Sequence, residues 1–402
     1  MKHNWEYKPV SEIFDTVTDF VAAGSFADLR ENVIYNNEQD FAQLIRTTDL
    51  KNNFSNSQFV YVNEHAFNYL WRVNLAEECI ILPNIGNCGE VYYLHPSMLI
   101  YPNNVLGPNA IMVRSKKHNQ KYLAFALKGK YFQRQLFQIV SQVAQSKFNK
   151  TNLKKLIVPV PSLEVQERIV AELDKINETI EDCRELLRNL DALAQSLFYD
   201  FFGDPFNNPK GFSIVPLYDV FSLITDGTHQ TPTYTSDIEN GVKFLSAKDV
   251  VNGYIEWDKI KYIPYDLHVE LHRRLAPQRG DILLCKNGTT GICALVETDE
   301  IFDIYVSLAL LRPKTNTCAK YIVYAINNPF TKEQFNHSLK GIGVPNLHLN
   351  KIRSTKIILP PLELQKKFAE RIELIDAQKK VVESTIAELQ TLLDSRMDYW
   401  FN

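Results

Sequence analysis

The chain has 402 residues, of which 45% are hydrophobic and 23% charged, with only 15 Gly and 18 Pro, a balance that fits a folded protein and excludes collagen-like and disordered classes. That length exceeds one ordinary core of ~100–200 residues, so two or more domains are expected. The formal net charge of −3 argues, taken alone, mildly against a nucleic-acid partner.

No apolar run approaches the ~18 residues of a membrane span, and "MKHNWEYKPV" has no apolar signal core, so the cytoplasm is the expected location and no membrane partner is expected. Cys79, Cys88, Cys183, Cys285, Cys293 and Cys318 form no C-x-x-C pair. Free thiols in a reducing compartment are expected.

In chain order, the first stretch is electrostatically split. Residues 1–90 hold six Lys/Arg against thirteen Asp/Glu, whereas residues 91–160 hold eleven Lys/Arg and no acid. Short alternating apolar runs such as "QFVYV" at Gln58 read as strands, and "KYFQRQLFQIVSQVAQ" at Lys130 reads as a helix, so residues 1–160 are predicted to be an α+β domain.

At Pro161 the chain writes "PSLEVQERIVAELDKI". Proline fixes φ and lacks the N–H that a first helical turn leaves unpaired, Ser162 can cap, and Glu164 suits the positive end of the helix dipole. Ile169, Leu173, Ile176, Ile180, Cys183, Leu187, Leu190, Ala194, Leu197 and Phe201 then alternate steps of four and three. Such a heptad seam predicts a supercoiled spacer helix over residues 161–203. Residues 161–202 carry four basic and ten acidic groups.

The remainder repeats the beginning. "WEYKPVSEIFDTVTDF" at Trp5 aligns with "FSIVPLYDVFSLITDG" at Phe212, and "LIRTTDL" at Leu44 with "FLSAKDV" at Phe244. "CIILPNIGNCG" at Cys79 aligns with "DILLCKNGTTG" at Asp281, placing Gly86 and Gly89 on Gly288 and Gly291. "KYLAFAL" at Lys121 matches "KYIVYAI" at Lys320, and "PPLELQKKFAERIELI" at Pro360 repeats the helix start 199 positions on (360 − 161). A second domain over residues 204–359 and a second spacer helix over 360–402 follow. The second seam is interrupted by Lys379 and Arg396. Two copies sharing one rod of roughly 60 Å are expected to be related by a pseudo-twofold axis, antiparallel, with Phe201 near Phe368 and Ile169 near Trp400. Gln166 and Gln365 could bond free backbone groups near each helix start. Residues 306–360 carry eight Lys/Arg and the single acid Glu333, so a basic block adjoins each helix, a pattern that fits either phosphate binding or a solvated face.

Catalytic constellations fare poorly. A stand-alone DNA methyltransferase needs an Asn-Pro-Pro-aromatic segment to hold a flipped base, and "NNPF" at Asn327 has one proline and reads as a helix terminator. His268 and His272 have helical i, i+4 spacing but lack the zincin order His-Glu-x-x-His, so they read as solvated surface histidines. No Walker loop occurs. A plain coiled-coil scaffold leaves two globular domains with basic flanks unexplained.

The duplicated "P-x-L-E-x-Q" helix starts, with "DGTHQTP", "GDILLCKNGTTG" and "GIGVPNLHLNKI" in the second copy, resemble the specificity subunit of type I restriction-modification enzymes over essentially the whole chain. The first copy departs from the pattern after Asp19, where it reads "DFVA". The resemblance implies two target recognition domains, each reading one half of a bipartite sequence in double-stranded DNA. The helices then act as spacer and as docking surface for two DNA methyltransferase subunits, with a restriction/translocase subunit as a further partner. It implies a non-catalytic chain without cofactor or metal; a specificity subunit of a related type II-like system is the neighbouring alternative.

By itself "KNGTTG" reads as a hairpin loop. The resemblance turns it into a DNA contact in which Gly288 and Gly291 let backbone N–H groups approach a phosphate while Lys286, Asn287, Thr289 and Thr290 project outward. Thr228, His229 and Gln230 are expected in a flexible loop, with Gln suited to adenine, and Lys340 is a phosphate candidate. In the first domain the corresponding set is Arg46, Thr47, Asn84 and Asn87, with Arg114, Lys116 and Lys117 supplying positive charge.

Overall fold

The computed structural model describes residues 4–55, 58–140, 147–251, 253–339 and 345–402. Two helices of 40 residues, Leu163–Phe202 and Leu362–Phe401, dominate it. The chain divides into two compact units, residues 1–184 with 384–402 and residues 185–383, so each unit takes part of both long helices.

The first unit contains β1 (Glu6–Pro9), β2 (Thr16–Asp19), β3 (Ala42–Ile45), β4 (Val60–Val62), β5 (Cys79–Pro83), β6 (Tyr92–Leu94), β7 (Asn104–Leu106), β8 (Ala110–Arg114) and β9 (Ile157–Val160). They form a four-stranded sheet in the order β2-β8-β5-β6, a three-stranded sheet β4-β3-β7 and a ribbon β1-β9. In the second unit lie β10 (Ser213–Pro216), β11 (Phe221–Asp226), β12 (Val242–Leu245), β13 (Val250–Val251), β14 (Tyr254–Ile255), β15 (Lys261–Ile263), β16 (Ile282–Cys285), β17 (Cys293–Leu295), β18 (Phe302–Ile304), β19 (Leu308–Pro313) and β20 (Lys356–Leu359). Their sheets, β11-β19-β16-β17, β15-β12-β18 and β10-β20, repeat the first unit strand for strand, and β13-β14 is an added hairpin. In both three-stranded sheets the central strand runs parallel to its later neighbour, Leu44 opposite Val105 and Phe244 opposite Asp303.

Side chains alternate across a strand, and here the alternation divides two cores. Ile80, Leu82, Ile111 and Val113 face one core with Ile169, Leu173, Trp400 and Phe401 of the long helices, whereas Cys79, Ile81, Ala110 and Met112 face another beneath the three-stranded sheet. The second unit does the same. Ile282, Leu284, Ala309 and Leu311 join Phe198, Phe202, Phe368 and Ile372, while Leu283, Cys285, Leu308 and Leu310 meet Leu245 and Ile304. A strand buried on both faces must be apolar throughout, which is why "CIILP" and "ILLC" are continuous apolar runs.

The heptad reading holds within each unit. In the second unit the Phe201 and Phe368 rings lie 5.8 Å apart and Lys379 pairs with Asp191. In the first, Ile169 shares a core with Trp400, and Glu172 receives Arg396 together with Trp400 Nε1 at 3.2 Å. Helix numbering rises on one side as it falls on the other, so the packing is antiparallel, and both charged interruptions of the second seam are ion-paired. Each seam Leu or Ile buried in this way stabilises by about 1.5–3 kcal/mol.

The glutamines of the two helix starts have equivalent jobs. Gln166 Nε2 donates to Pro161 O at 2.9 Å and its Oε1 accepts Asn119 N at 3.0 Å. Gln365 does likewise with Pro360 O at 2.7 Å and Cys318 N at 3.0 Å. Both are buried, so each locks the start of a long helix to the domain before it. The "NNPF" segment joins helices Ala319–Asn327 and Pro329–Leu339, as a terminator should. All six cysteines are free.

Candidate nucleic-acid interface

In the second unit the site starts from the end of β11. A Cβ on Gly227 would lie 2.1 Å from Ile304 O, so only glycine lets the chain pass this close to β18. Thr228 N then donates to Ile304 O at 3.0 Å and Val306 N to Thr228 O at 2.9 Å. Thr228 is buried, an anchor rather than part of a flexible loop. From that anchor His229 and Gln230 are exposed, with His229 Nε2 3.4 Å from Asp226 Oδ1.

Lys286 is corrected in direction. It does not project outward; it is buried, with Nζ 2.5 Å from Asp226 Oδ2. Burial pushes the Asp226 carboxyl upward, but Lys286 and His229 together outweigh it and hold the group below the ordinary aspartate value. Beyond Lys286 the loop turns through positive φ at Gly288 (74°) and Gly291 (85°). The aligned Gly86 (82°) and Gly89 (112°) do the same, so the sequence match marks a shared turn. Asn287 bridges to Asn346, Thr290 N donates to Gly288 O at 2.8 Å, and Thr289 is exposed.

Asn287, Gly288 and Thr289 form one wall of a groove of about 840 Å³ whose other walls include Ser246, Lys248, Lys259 and Lys261. Ser246 N is held by Asp249 Oδ2 at 2.6 Å. The three lysines are exposed, and Lys261 Nζ lies 4.1 Å from the centre of the Tyr234 ring. Lys248, Lys259 and Lys261 escape a motif search, although basic and aromatic residues interleave visibly in "WDKIKYIPY". A groove with three lysines against the acids Asp249 and Glu256, beside a glycine turn, offers ammonium and backbone N–H groups to phosphate, and its asparagine and threonine to base edges.

In the first unit three of the seven candidates are built into the frame. Arg46 Nη2 lies 2.7 Å from Oδ1 of the buried Asp49 and donates to Gln58 O at 2.8 Å, and Thr47 opens the short helix Thr47–Lys51. Asn84 Nδ2 donates to Phe148 O at 3.2 Å. The Arg114 guanidinium binds Asn74 O. Asn87, Lys116 and Lys117 are exposed. After Asp19 the chain enters the 3-10 turn Phe20–Ala23 with Phe20 buried, since its ring has no room where glycine passes the strand. Lys340 lies outside the described residues.

The basic blocks are partly spent within the fold. Lys121 pairs with Asp174 at 2.6 Å, Lys150 with Asp19 at 2.8 Å and Lys320 with Asp376 at 2.8 Å. The expectation of surface histidines is also corrected. His268 is buried with Nδ1 2.7 Å from Oδ2 of the buried Asp303, and His272 Nδ1 is 3.4 Å from Oδ1 of the same carboxylate.

The family model "Type I restriction modification DNA specificity domain" matches residues 2–190 and 209–391. The type I restriction enzyme MjaVIII specificity subunit of Methanocaldococcus jannaschii is 26% identical over 61% of this chain, a match that spans 63% of that relative. The putative MjaX specificity subunit of the same organism is 22% identical over 97% of this chain and 92% of its own length. Among solved structures, the type I restriction-modification S subunit from M. genitalium superposes with a TM-score of 0.55 at 13% identity, covering 99% of this chain and 96% of that one. A chain from a study of complex assembly and conformational transition of the type I R-M system gives 0.55 at 16% identity, covering 99% and 97%. With both of its repeats matched by the same model, the chain belongs to the type I restriction modification DNA specificity domain family.

Proposed function

We propose that this chain is the DNA specificity subunit of a type I restriction-modification complex. Residues 1–160 and 204–359 act as target recognition domains, each reading one half of a bipartite target. The helices of residues 161–203 and 360–402 set the spacing and dock two methyltransferase subunits, and a restriction/translocase subunit can join them. One observation carries the reading: the frame is copied and the exposed loops are not. Tyr122 OH donates to Pro159 O at 2.9 Å and Tyr321 OH to Ile358 O at 2.6 Å. Gln135 and Gln334 each bridge to a strand backbone, through Ile157 and Lys356. At the loops, by contrast, Asn87 stands against Thr289, and "DFVA" against "DGTH". Two copies with one scaffold and different tips suit two different sequences. The contacts proposed for the second domain are His229, Gln230, Asn287, Thr289 and Thr290 with Lys248, Lys259 and Lys261; for the first they are Thr47, Asn87, Lys116 and Lys117.

The test is incubation of the pure chain with labelled S-adenosylmethionine and DNA, alone and with a methyltransferase partner. Methylation only in the complex, at a bipartite site, is expected. Label incorporated by the chain alone, or by a complex without sequence preference, refutes the proposal.

A further inference from the structure

Two histidines and a facing aspartate of the second unit converge closely enough to share a metal ion. His268 and His272 stand four residues apart on the helix Tyr265–Arg274, which puts both rings on one face; their ring centres are 4.8 Å apart. Asp303 on β18 faces them, and one ligand atom from each of the three residues lies within 4.8 Å of the others. Nitrogens and oxygens bound to one tetrahedral zinc stand about 3.3 Å apart, given bonds of ~2.0–2.2 Å. Here His268 Nδ1 lies 2.7 Å from Asp303 Oδ2 and His272 Nδ1 3.4 Å from Asp303 Oδ1, so the three groups converge, and the hydrogen-bonded His268 contact must open to admit an ion.

The duplication supplies an internal control. Matching Leu44 opposite Val105 with Phe244 opposite Asp303 places Val105 at the Asp303 position. Likewise, Val62 opposite Ala42 and Ile263 opposite Val242 place the helix Glu64–Tyr69 on Tyr265–Arg274, so Phe67 takes the His268 position, while Trp71, at the His272 position, lies past the helix end in a 3-10 turn and is exposed. Val105 is fully buried, and Phe67 packs on the same core. The fold is therefore satisfied by apolar residues here. A buried carboxylate facing two imidazoles is an addition to it, expensive unless fully paired.

We propose that His268, His272 and Asp303 bind a borderline divalent cation, with Zn²⁺ as the fitting ion. His268 and Asp303 supply the buried ligands. His272, half-exposed, leaves the fourth position to solvent. Any proton on the coordinating Nδ1 atoms leaves as the ion enters. The ion clamps the helix to β18, whose Ile304 carbonyl holds Thr228, while Arg274 of the same helix donates to Asp226 O at 3.0 Å. Its role is thus to stiffen the mount of the Thr228–Gln230 loop. The site stands independently of the DNA-reading proposal.

The experiment is titration of the chelator-treated full-length chain with Zn²⁺ by calorimetry and with Co²⁺ by visible absorption. One equivalent per chain is expected. Its Co²⁺ bands should lack thiolate charge transfer, which separates the site from the cysteines. Amides of the Thr228–Gln230 loop should exchange more slowly with Zn²⁺ bound. His272→Ala, at a half-exposed position, and Asp303→Asn should each weaken binding by about tenfold or more. Because the wild-type titration is itself decisive, a variant that misfolds leaves the test intact. No saturable binding to the wild-type chain, or binding unchanged in the His268→Ala/His272→Ala variant, overturns the proposal and leaves a hydrogen-bonded His-Asp-His bridge.

Discussion

Replacing Lys286 with methionine keeps the length of the side chain and deletes its charge. The ion pair with Asp226 spans 2.5 Å, and the two side chains are 6% and 11% exposed. Removing one partner from such a pair strands the other charge and costs about 3–5 kcal/mol, raising the population of opened second unit roughly 10²–10⁴-fold at ~1.4 kcal/mol per decade. Lys150→Met breaks the pair with Asp19, whose side chains are 31% and 14% exposed. With water nearer, it should cost only about 1 kcal/mol. A chain of two units need not unfold in one step, so the assay is hydrogen exchange of peptides covering β11 and β16, followed against urea. The pH dependence has a definite sign. In the wild type Asp226 titrates below its ordinary value because Lys286 and His229 together outweigh desolvation, so the pair stabilises above about pH 3.9 and its contribution is lost as pH falls through the lower folded value. In Lys286→Met desolvation remains the largest influence, opposed only by His229. The carboxyl then moves up, and the deficit against wild type narrows as the medium is acidified. Lys286→Met/Asp226→Asn should recover most of the loss at neutral pH. A single variant within about 1 kcal/mol of wild type, or a double variant no better than the single, refutes the reasoning.

Three further outcomes are expected. Arg396→Glu sets like charges together at Glu172 and should cost about 1 kcal/mol in urea unfolding, restored by Glu172→Arg in the same chain; Glu172 is held below the usual carboxylate range by its Arg396 hydrogen bond, so the wild-type advantage fades as pH drops below about 4.3. Inserting one heptad into both long helices adds ~10 Å, or about 3 bp, and the methylated site should keep its two half-sequences while the unread gap widens, the added turn of roughly 100° being tolerated in any active complex; an active complex with an unchanged gap shows that the helices do not set it. Lys116→Ala/Lys117→Ala should lower the slope of log affinity against log salt by about 2 without altering base preference, as read by fluorescence anisotropy at several salt concentrations.

Periodicity carried the architecture because it is a local property of the chain. The seams, the antiparallel pairing, the glycine turns and the glutamine locks all follow from residues written twice, and repetition exposes which positions the frame needs. Side-chain direction at the loops is a different kind of fact. Lys286 follows an apolar strand and looks like an exposed loop lysine, but Asp226, sixty residues earlier (286 − 226), draws it inward. Arg46, Asn84 and Arg114 are consumed by Asp49 and by backbone carbonyls in the same way. His268 looked solvated for want of a motif, since its partner Asp303 arrives from β18, far along the chain from the helix that carries it. Lys248, Lys259 and Lys261 converge only once β12 and β15 pair, Phe244 opposite Lys261.

The central claim is that each unit reads its own half of one DNA target, and a methylation screen over a library with both half-sites randomised tests it most directly. The complex of the full-length chain with its methyltransferase partner is compared as wild type and as Gln230→Ala and Lys261→Ala variants. Gln230→Ala should relax one base position in one half by about 1–3 kcal/mol and leave the other half untouched, and Lys261→Ala should weaken all sequences alike. A preference altered in both halves by Gln230→Ala, or in neither by any substitution in the groove, contradicts the account.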